Sequence, residues 1–172
     1  MRDEALELLN VRPDGIYLDC TAGLGGHTGA IARRLTGGKV ISCDRDVESL
    51  ALARQNTEDV RDRIQFFHAD FSRLAQTVEQ AGLGPVDGLL ADLGVSRFQL
   101  TAGERGFSFM ADGPLDMRMD QSQSAAQAIT ADTLVNESAE KALADWIHQF
   151  GEERRARKIA RAIVRSRPIR ST

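Results

Sequence analysis

Four short apolar runs, each ending on an acidic residue or beside a glycine, constrain this chain most. They are Ile16-Tyr17-Leu18-Asp19, Val40-Ile41-Ser42-Cys43-Asp44, Ile64 to Asp70, and Gly88 to Leu93. The first, second and fourth are largely apolar, as strands of a parallel sheet covered on both faces must be. Helical patterns separate them. Ala30, Ile31 and Leu35 share a face before Gly37-Gly38, which is expected to stop that helix. Leu50, Leu52 and Ala53 mark a second helix, and Leu74 and Val78 a third. Strands alternating with helices of this size build βαβ units, so the fold class is α/β with a doubly wound parallel sheet. The pattern changes near residue 95. From Gln99 to Gln123 the chain is rich in Gly, Asp, Met and Arg without a period, which reads as an ordered but irregular loop. From Thr133 to Arg165 it becomes helical. One expected stripe is Ala142, Leu143, Trp146 and Ile147, another Ile159, Ala160, Ile163 and Val164, and Ser138 is the expected N-cap.

At 172 residues the chain has the length of one ordinary domain. Its 42% hydrophobic and 27% charged residues are close to globular averages, which argues against disorder. No apolar run approaches the roughly 20 residues of a membrane span. Met1-Arg2-Asp3-Glu4 is acidic and opens no signal peptide. Cys20 and Cys43 belong to no CxxC pair, so neither a disulfide framework nor a metal site is expected, and the chain reads as cytoplasmic. The net charge of −3 hides an asymmetry: residues 1–150 carry 14 Lys+Arg against 23 Asp+Glu, residues 151–172 carry 8 against 2. A basic end on an acidic body is either an electrostatic footprint for phosphates or a solvated helix face.

The segment Asp19-Cys20-Thr21-Ala22-Gly23-Leu24-Gly25-Gly26-His27-Thr28 follows the first strand and opens a helix. Glycines there permit a tight turn and close approach of a ligand, and the helix N-terminus adds positive potential. Gly23 and Gly25 fit the first two glycines of the dinucleotide fingerprint, but Thr28 stands where the third belongs. The pattern D-x-x-x-G-x-G-G instead resembles motif I of S-adenosylmethionine (SAM) methyltransferases. Asp44 closes the second strand, where a carboxylate can accept from both ribose hydroxyls of a nucleoside; the bland alternative is a helix N-cap, with Asp46 competing. Asp70-Phe71 closes the third, suited to an adenine amine and to packing on a base, unless Phe71 is plain core. The fourth runs into Asp92-Leu93-Gly94-Val95-Ser96, where amino-group methyltransferases hold the target nitrogen. Asp92 is the candidate acceptor that would raise electron density on a weakly nucleophilic exocyclic amine; a cofactor contact or loop cap is the alternative.

The chain resembles the bacterial 16S ribosomal RNA cytosine-N4 methyltransferases, the MraW-type enzymes. The resemblance rests on Asp92 to Ser96, Glu104-Arg105-Gly106-Phe107-Ser108-Phe109, the run Asp112-Gly113-Pro114-Leu115-Asp116-Met117-Arg118-Met119-Asp120-Gln121-Ser122, and Gly151-Glu152-Glu153-Arg154 leading into Ala160-Arg161-Ala162-Ile163. It implies SAM as methyl donor, cofactor contacts at Gly25, Gly26, His27, Asp44, Phe71, Asp92 and Gln99, catalysis at Asp92, and 16S rRNA of the small ribosomal subunit as partner. Arg97-Phe98 replaces the Ser-Pro usual before Gln99. The fold expected is a Rossmann-like SAM-dependent methyltransferase part over residues 1–99, followed over 100–172 by a substrate loop and the start of a helical insert. The resemblance also implies that only the first four strands of a larger sheet are here, so the chain reads as a fragment, weakly active or inactive by itself. In the charged, Met-rich loop, Phe107 or Phe109 is available for base stacking; a structural crossover whose aspartates cap helices is the alternative. Arg154, Arg155, Arg157, Lys158, Arg161 and Arg165 recur at helical spacing and read as RNA phosphate contacts. Two other functions compete: a methyltransferase of a small molecule or protein, and a non-catalytic SAM- or RNA-binding module. Nothing in the sequence fixes an oligomeric state.

Overall fold

The computed structural model describes residues 2–122 and 128–172. Gln123, the expected end of the irregular loop, and Met1 lie outside the described residues. The chain divides into two compact units, Met1–Gly94 and Val95–Thr172.

The first unit is a four-stranded parallel sheet of β1 (Ile16–Asp19), β2 (Lys39–Asp44), β3 (Ile64–His68) and β4 (Gly88–Leu90), in the order β3-β2-β1-β4. Helices α1 (Arg2–Leu9), α2 (Gly26–Arg34), α3 (Val47–Asn56) and α4 (Leu74–Ala81) intervene, with 3₁₀ turns at Glu58–Arg63 and Phe71–Arg73. Alternate residues of each strand face opposite sides. Tyr17 and Val40 join Leu6, Ile31, Ala32, Leu35 and Val60 in one buried cluster. Their neighbours Leu18 and Ile41 join Cys20 and Cys43 in the other, against Leu74 and Val78. This two-sided burial is what the apolar runs required. The sheet therefore has the Rossmann-like α/β architecture expected, with four parallel strands.

Several boundaries differ from expectation. Gly37-Gly38 does not stop α2; Leu35 does, turning extended so that its side chain is buried in the Tyr17 cluster. The glycines serve a turn packed on the preceding loop: Thr36, Gly37 and Gly38 all donate to the Pro13 carbonyl, and a Cβ on Gly38 would run into the Gly15 carbonyl. β3 ends at His68, because Asp70 accepts from Ser72 N–H and starts a 3₁₀ turn. β4 ends at Leu90, two residues before Asp92, and at the sheet edge its Leu89 stays 52% exposed.

In the second unit a short helix α5 (Arg97–Thr101) and a 3₁₀ turn at Gly103–Arg105 occupy the start of the stretch expected to be irregular. The run from Asp112 to Ser122 is irregular and pinned: buried Arg105 donates to the Met119 carbonyl at 2.8 Å, and Met117 N–H to the Arg105 carbonyl at 3.1 Å. Asp116 pairs with Arg118 at 2.6 Å and, rather than capping α6 (Ala131–Glu137) with its side chain, takes Ala131 N–H on its backbone carbonyl. The N-cap of α6 is Thr130. α7 (Glu140–Gly151) packs on α8 (Ala156–Arg165). Ser138 is not the N-cap of α7: it is the residue after α6, and Ala139 holds the cap position. The buried stripe of α7 is Leu143, Ala144 and Ile147 against Ala160, Ile163 and Val164, turned by one residue from expectation, so that Trp146 and Ile159 are each 37% exposed. Among the described residues no helix is long and apolar enough to cross a membrane.

Candidate active site

The strand order creates the site. Chain progress from β1 through β2 to β3 moves one way, and the crossover to β4 returns to the other side of β1. Ligands of such sheets bind outside the carboxyl ends of the strands, where the order reverses. The two segments flanking that point are the glycine loop after β1 and the Asp92 turn after β4.

The glycine loop is held from beneath. Gly23 (φ +51°) and Gly25 (φ +85°) are left-handed, a conformation that side chains resist. At Gly25 the reason is packing as much as ligand access, since a Cβ would sit 3.0 Å from Thr57 Cγ2 and 3.1 Å from the Ala53 carbonyl. A Cβ on Gly26 would meet nothing within 4 Å, so the loop leaves open space at the start of α2. Asp44 anchors this loop: its Oδ2 accepts Gly23 N–H at 2.8 Å and its Oδ1 accepts Asp46 N–H at 2.9 Å. The N-cap of α3 is Asp46, which accepts from Glu48 and Ser49. Each Asp44 oxygen retains a second lone pair for a hydroxyl donor.

Phe71 is not core; it opens the 3₁₀ turn after β3 and is 55% exposed. Hydrogen bonds from the Ser72 hydroxyl and N–H hold the Asp70 carboxyl below the usual range. His27, in the first turn of α2, brings Nδ1 within 3.8 Å of Asp92 Oδ2, and the Asp92 side chain is 62% exposed. Gln99 lies in the second unit, in α5, where Oε1 accepts Ser96 N–H at 2.9 Å and closes a capping box. The loop glycines, His27, Asp44 and Asp92 thus stand at the carboxyl ends of β1, β2 and β4, with Phe71 following β3.

A buried network behind these residues escaped the motif comparison. Asp19 is fully buried; its Oδ2 accepts the Thr28 hydroxyl at 2.6 Å and its Oδ1 accepts Thr21 N–H at 3.0 Å. Thr28 Oγ1 lies 2.8 Å from Ser42 Oγ on β2, and Thr21 Oγ1 accepts Asp92 N–H at 2.8 Å. The Asp19/Thr21 spacing, that of an Asx turn, was the only local signal for it.

In the second unit, Arg154, Arg155, Arg157 and Lys158 line an open cleft of about 450 Å³ with Asp145 and His148. Arg161 faces Glu140 at 3.4 Å, whereas those four cations form no ion pair among the described residues. Phe109 is completely exposed and Phe107 is half-buried.

Residues 1–172 match the family described as the MraW methylase family. A ribosomal RNA small subunit methyltransferase H of Solibacter usitatus is 64% identical over 172 residues, which are 100% of this chain and 59% of that protein. Its namesake from Koribacter versatilis is 47% identical over 180 residues, 100% of this chain and 55% of that protein. The chain thus spans somewhat more than half the length of these relatives. An O-methyltransferase from Bacillus cereus overlaps 53% of this chain and 43% of its own at 22% identity, a partial likeness with a TM-score of 0.47.

Proposed function

Since this chain belongs to the MraW methylase family, we propose that it carries the cofactor-binding and catalytic core of a SAM-dependent methyltransferase acting on the N4 amine of a cytidine in 16S ribosomal RNA. The observation that carries this reading is the pairing of a left-handed glycine loop with Asp92 and His27 at the switch point of the sheet. The names of the longer relatives support the substrate class.

The residues present suit the cofactor. Open space beside Gly26 admits a ligand against the first turn of α2, near His27. Asp44 is placed for ribose hydroxyls, exposed Phe71 offers a face for adenine, and Gln99 is carried as a contact by the family resemblance. SAM supplies an electrophilic sulfonium methyl group. Asp92 does the protein's part at the acceptor: its carboxylate takes one N–H of the cytosine amine, which returns electron density to the nitrogen. The proton lost on transfer passes to this solvent-exposed carboxylate and on to water. Arg154, Arg155, Arg157 and Lys158 hold RNA phosphates, and exposed Phe109 stacks on a base. The place of work is the cytoplasm, with the ribosomal subunit.

The test mixes the protein with methyl-labelled SAM and small ribosomal subunits that lack this methyl group. Label recovered as N4-methylcytidine is the expected result, and Asp92→Ala in a full-length version abolishes it. Label in protein or in small molecules overturns the RNA reading. Binding of SAM with no transfer, in this chain and in the longer relatives alike, overturns the enzyme.

A further inference from the structure

The buried carboxylate of β1 reaches the turn that carries Asp92 through one hydroxyl. Asp19 has no exposed surface, and its two oxygens collect Thr21 N–H and the Thr28 hydroxyl. Thr28 spends its one proton there, so Ser42 is the donor in the 2.8 Å contact between their hydroxyls. The same reasoning orients Thr21. Its hydroxyl lies 3.5 Å from Asp19 Oδ1, to which it can donate, while its lone pair accepts Asp92 N–H at 2.8 Å. One residue before Thr21 and two before Asp92, Cys20 N–H donates to the Leu90 carbonyl at 2.9 Å. The β1–β4 ladder therefore ends in a backbone bond and is prolonged by a single side chain. Beyond it Leu93 is exposed and Gly94 adopts φ +141°.

We propose that Thr21 is a positioning residue for Asp92. Its hydroxyl clamps the backbone of the Asp92 turn to the glycine loop, so that the exposed carboxylate keeps its place 3.8 Å from His27 Nδ1 instead of sampling the solvent. The loop that receives the cofactor and the group that faces the acceptor amine are thereby set to one register. The kinetic consequence rests on the methyltransferase reading, whereas the structural consequence does not.

Amide exchange on the isotopically labelled chain tests the clamp directly. Asp92 N–H exchanges at least about tenfold more slowly than in an unstructured peptide of the same sequence. Thr21→Val, which removes only the hydroxyl, speeds it about tenfold, and Thr21→Ser restores it. In the methyl-transfer assay with the longer relative, the equivalent Val variant lowers kcat about tenfold, leaves KM for SAM within about threefold, and is rescued by Ser. An unprotected Asp92 amide in the wild-type chain, unchanged exchange in Thr21→Val, or no rescue by Ser overturns the proposal. A Thr21→Val chain that loses its dispersed amide spectrum overturns it too, in favour of a purely structural Thr21. A protected, Thr21-dependent amide in proteins that transfer no methyl group sinks the methyltransferase reading and leaves the clamp standing.

Discussion

At the end of β1, burial raises the Asp19 carboxyl above its ordinary range, while hydrogen bonds from Thr28 and Thr21 and the nearby His27 pull it back. The buried donors need this acceptor more than the fold needs its charge. Asp19→Ala leaves Thr21 N–H and the Thr28 hydroxyl without their partner and should cost roughly 2–3 kcal/mol in urea denaturation; Asp19→Asn, which keeps one acceptor, should cost clearly less. Because the folded-state value is raised, the native state binds the proton more tightly. Asp19 therefore favours folding below the ordinary carboxylate range and loses that contribution as pH rises through the raised value, a dependence that Asp19→Asn removes. Asp116 behaves oppositely. The Arg118 guanidinium and N–H hold it below the usual range. Its contribution is present above the ordinary carboxylate value and is lost as pH falls through the lowered one. Trp146, the single tryptophan, lies in the same unit, so urea unfolding followed by its fluorescence should show wild type more stable than Arg118→Gln near neutral pH and that gap closing as Asp116 protonates in acid. Asp44 and Asp92 could be named from sequence because strand ends announce themselves by short apolar runs stopping at carboxylates, whereas His27 came from the family resemblance. Thr21 could not, because its partner stands 71 positions away.

Among the elements, the four strands and the helices α2 to α4 of the first unit were legible in kind, as were the ends of β1 and β2, but the helix α1 and the ends of α2, β3 and β4 were not. β3 stops at His68 because a turn-forming contact, Asp70 with Ser72, competes with strand pairing, and β4 stops at Leu90, beyond which the Thr21 side chain rather than a backbone carbonyl takes the Asp92 N–H. In α7 the buried stripe turned by one residue, since Ala144 rather than Trp146 meets Ala160 on α8. A period constrains which residues share a face but leaves the centre of that face open by a fraction of a turn. The basic start of α8 carries an element-level prediction. If its cations meet RNA phosphates, Arg157→Gln and Lys158→Gln each flatten the dependence of log affinity on log salt by about 0.7–0.9. Arg161→Gln should flatten it less, because Glu140 already stands 3.4 Å from that guanidinium. Filter binding of ribosomal RNA at several salt concentrations measures all three. Slopes unchanged from wild type in Arg157→Gln and Lys158→Gln would assign the cleft no part in phosphate contact.

For the molecule as a whole, charge is divided as the chain is: residues 1–94 hold 10 Lys+Arg against 15 Asp+Glu, and residues 95–172 hold 12 against 10. The acidic unit also contains both thiols, Cys20 and Cys43, which burial pushes up to about 11 and about 12. A thiol reagent at pH 8 should label neither in the native chain and both once denaturant opens the sheet, in step with loss of the far-ultraviolet signal. Labelling of either thiol without denaturant would show that the Leu18–Ile41 cluster opens locally. The alternation of apolar runs with helical periods, the glycine loop and the run from Asp112 to Ser122 were enough by themselves to determine the α/β class, the family and the carboxylates that end β1 and β2 or follow β3 and β4, because each is a property of residues close in sequence. The tertiary structure alone decided that β4 lies beside β1, that Asp19, Thr28 and Ser42 form one buried network, and that Thr21 grips the Asp92 turn. Those contacts join residues from different strands, and the crossover that brings them together is selected by burial of both sheet faces at once, which no local pattern encodes.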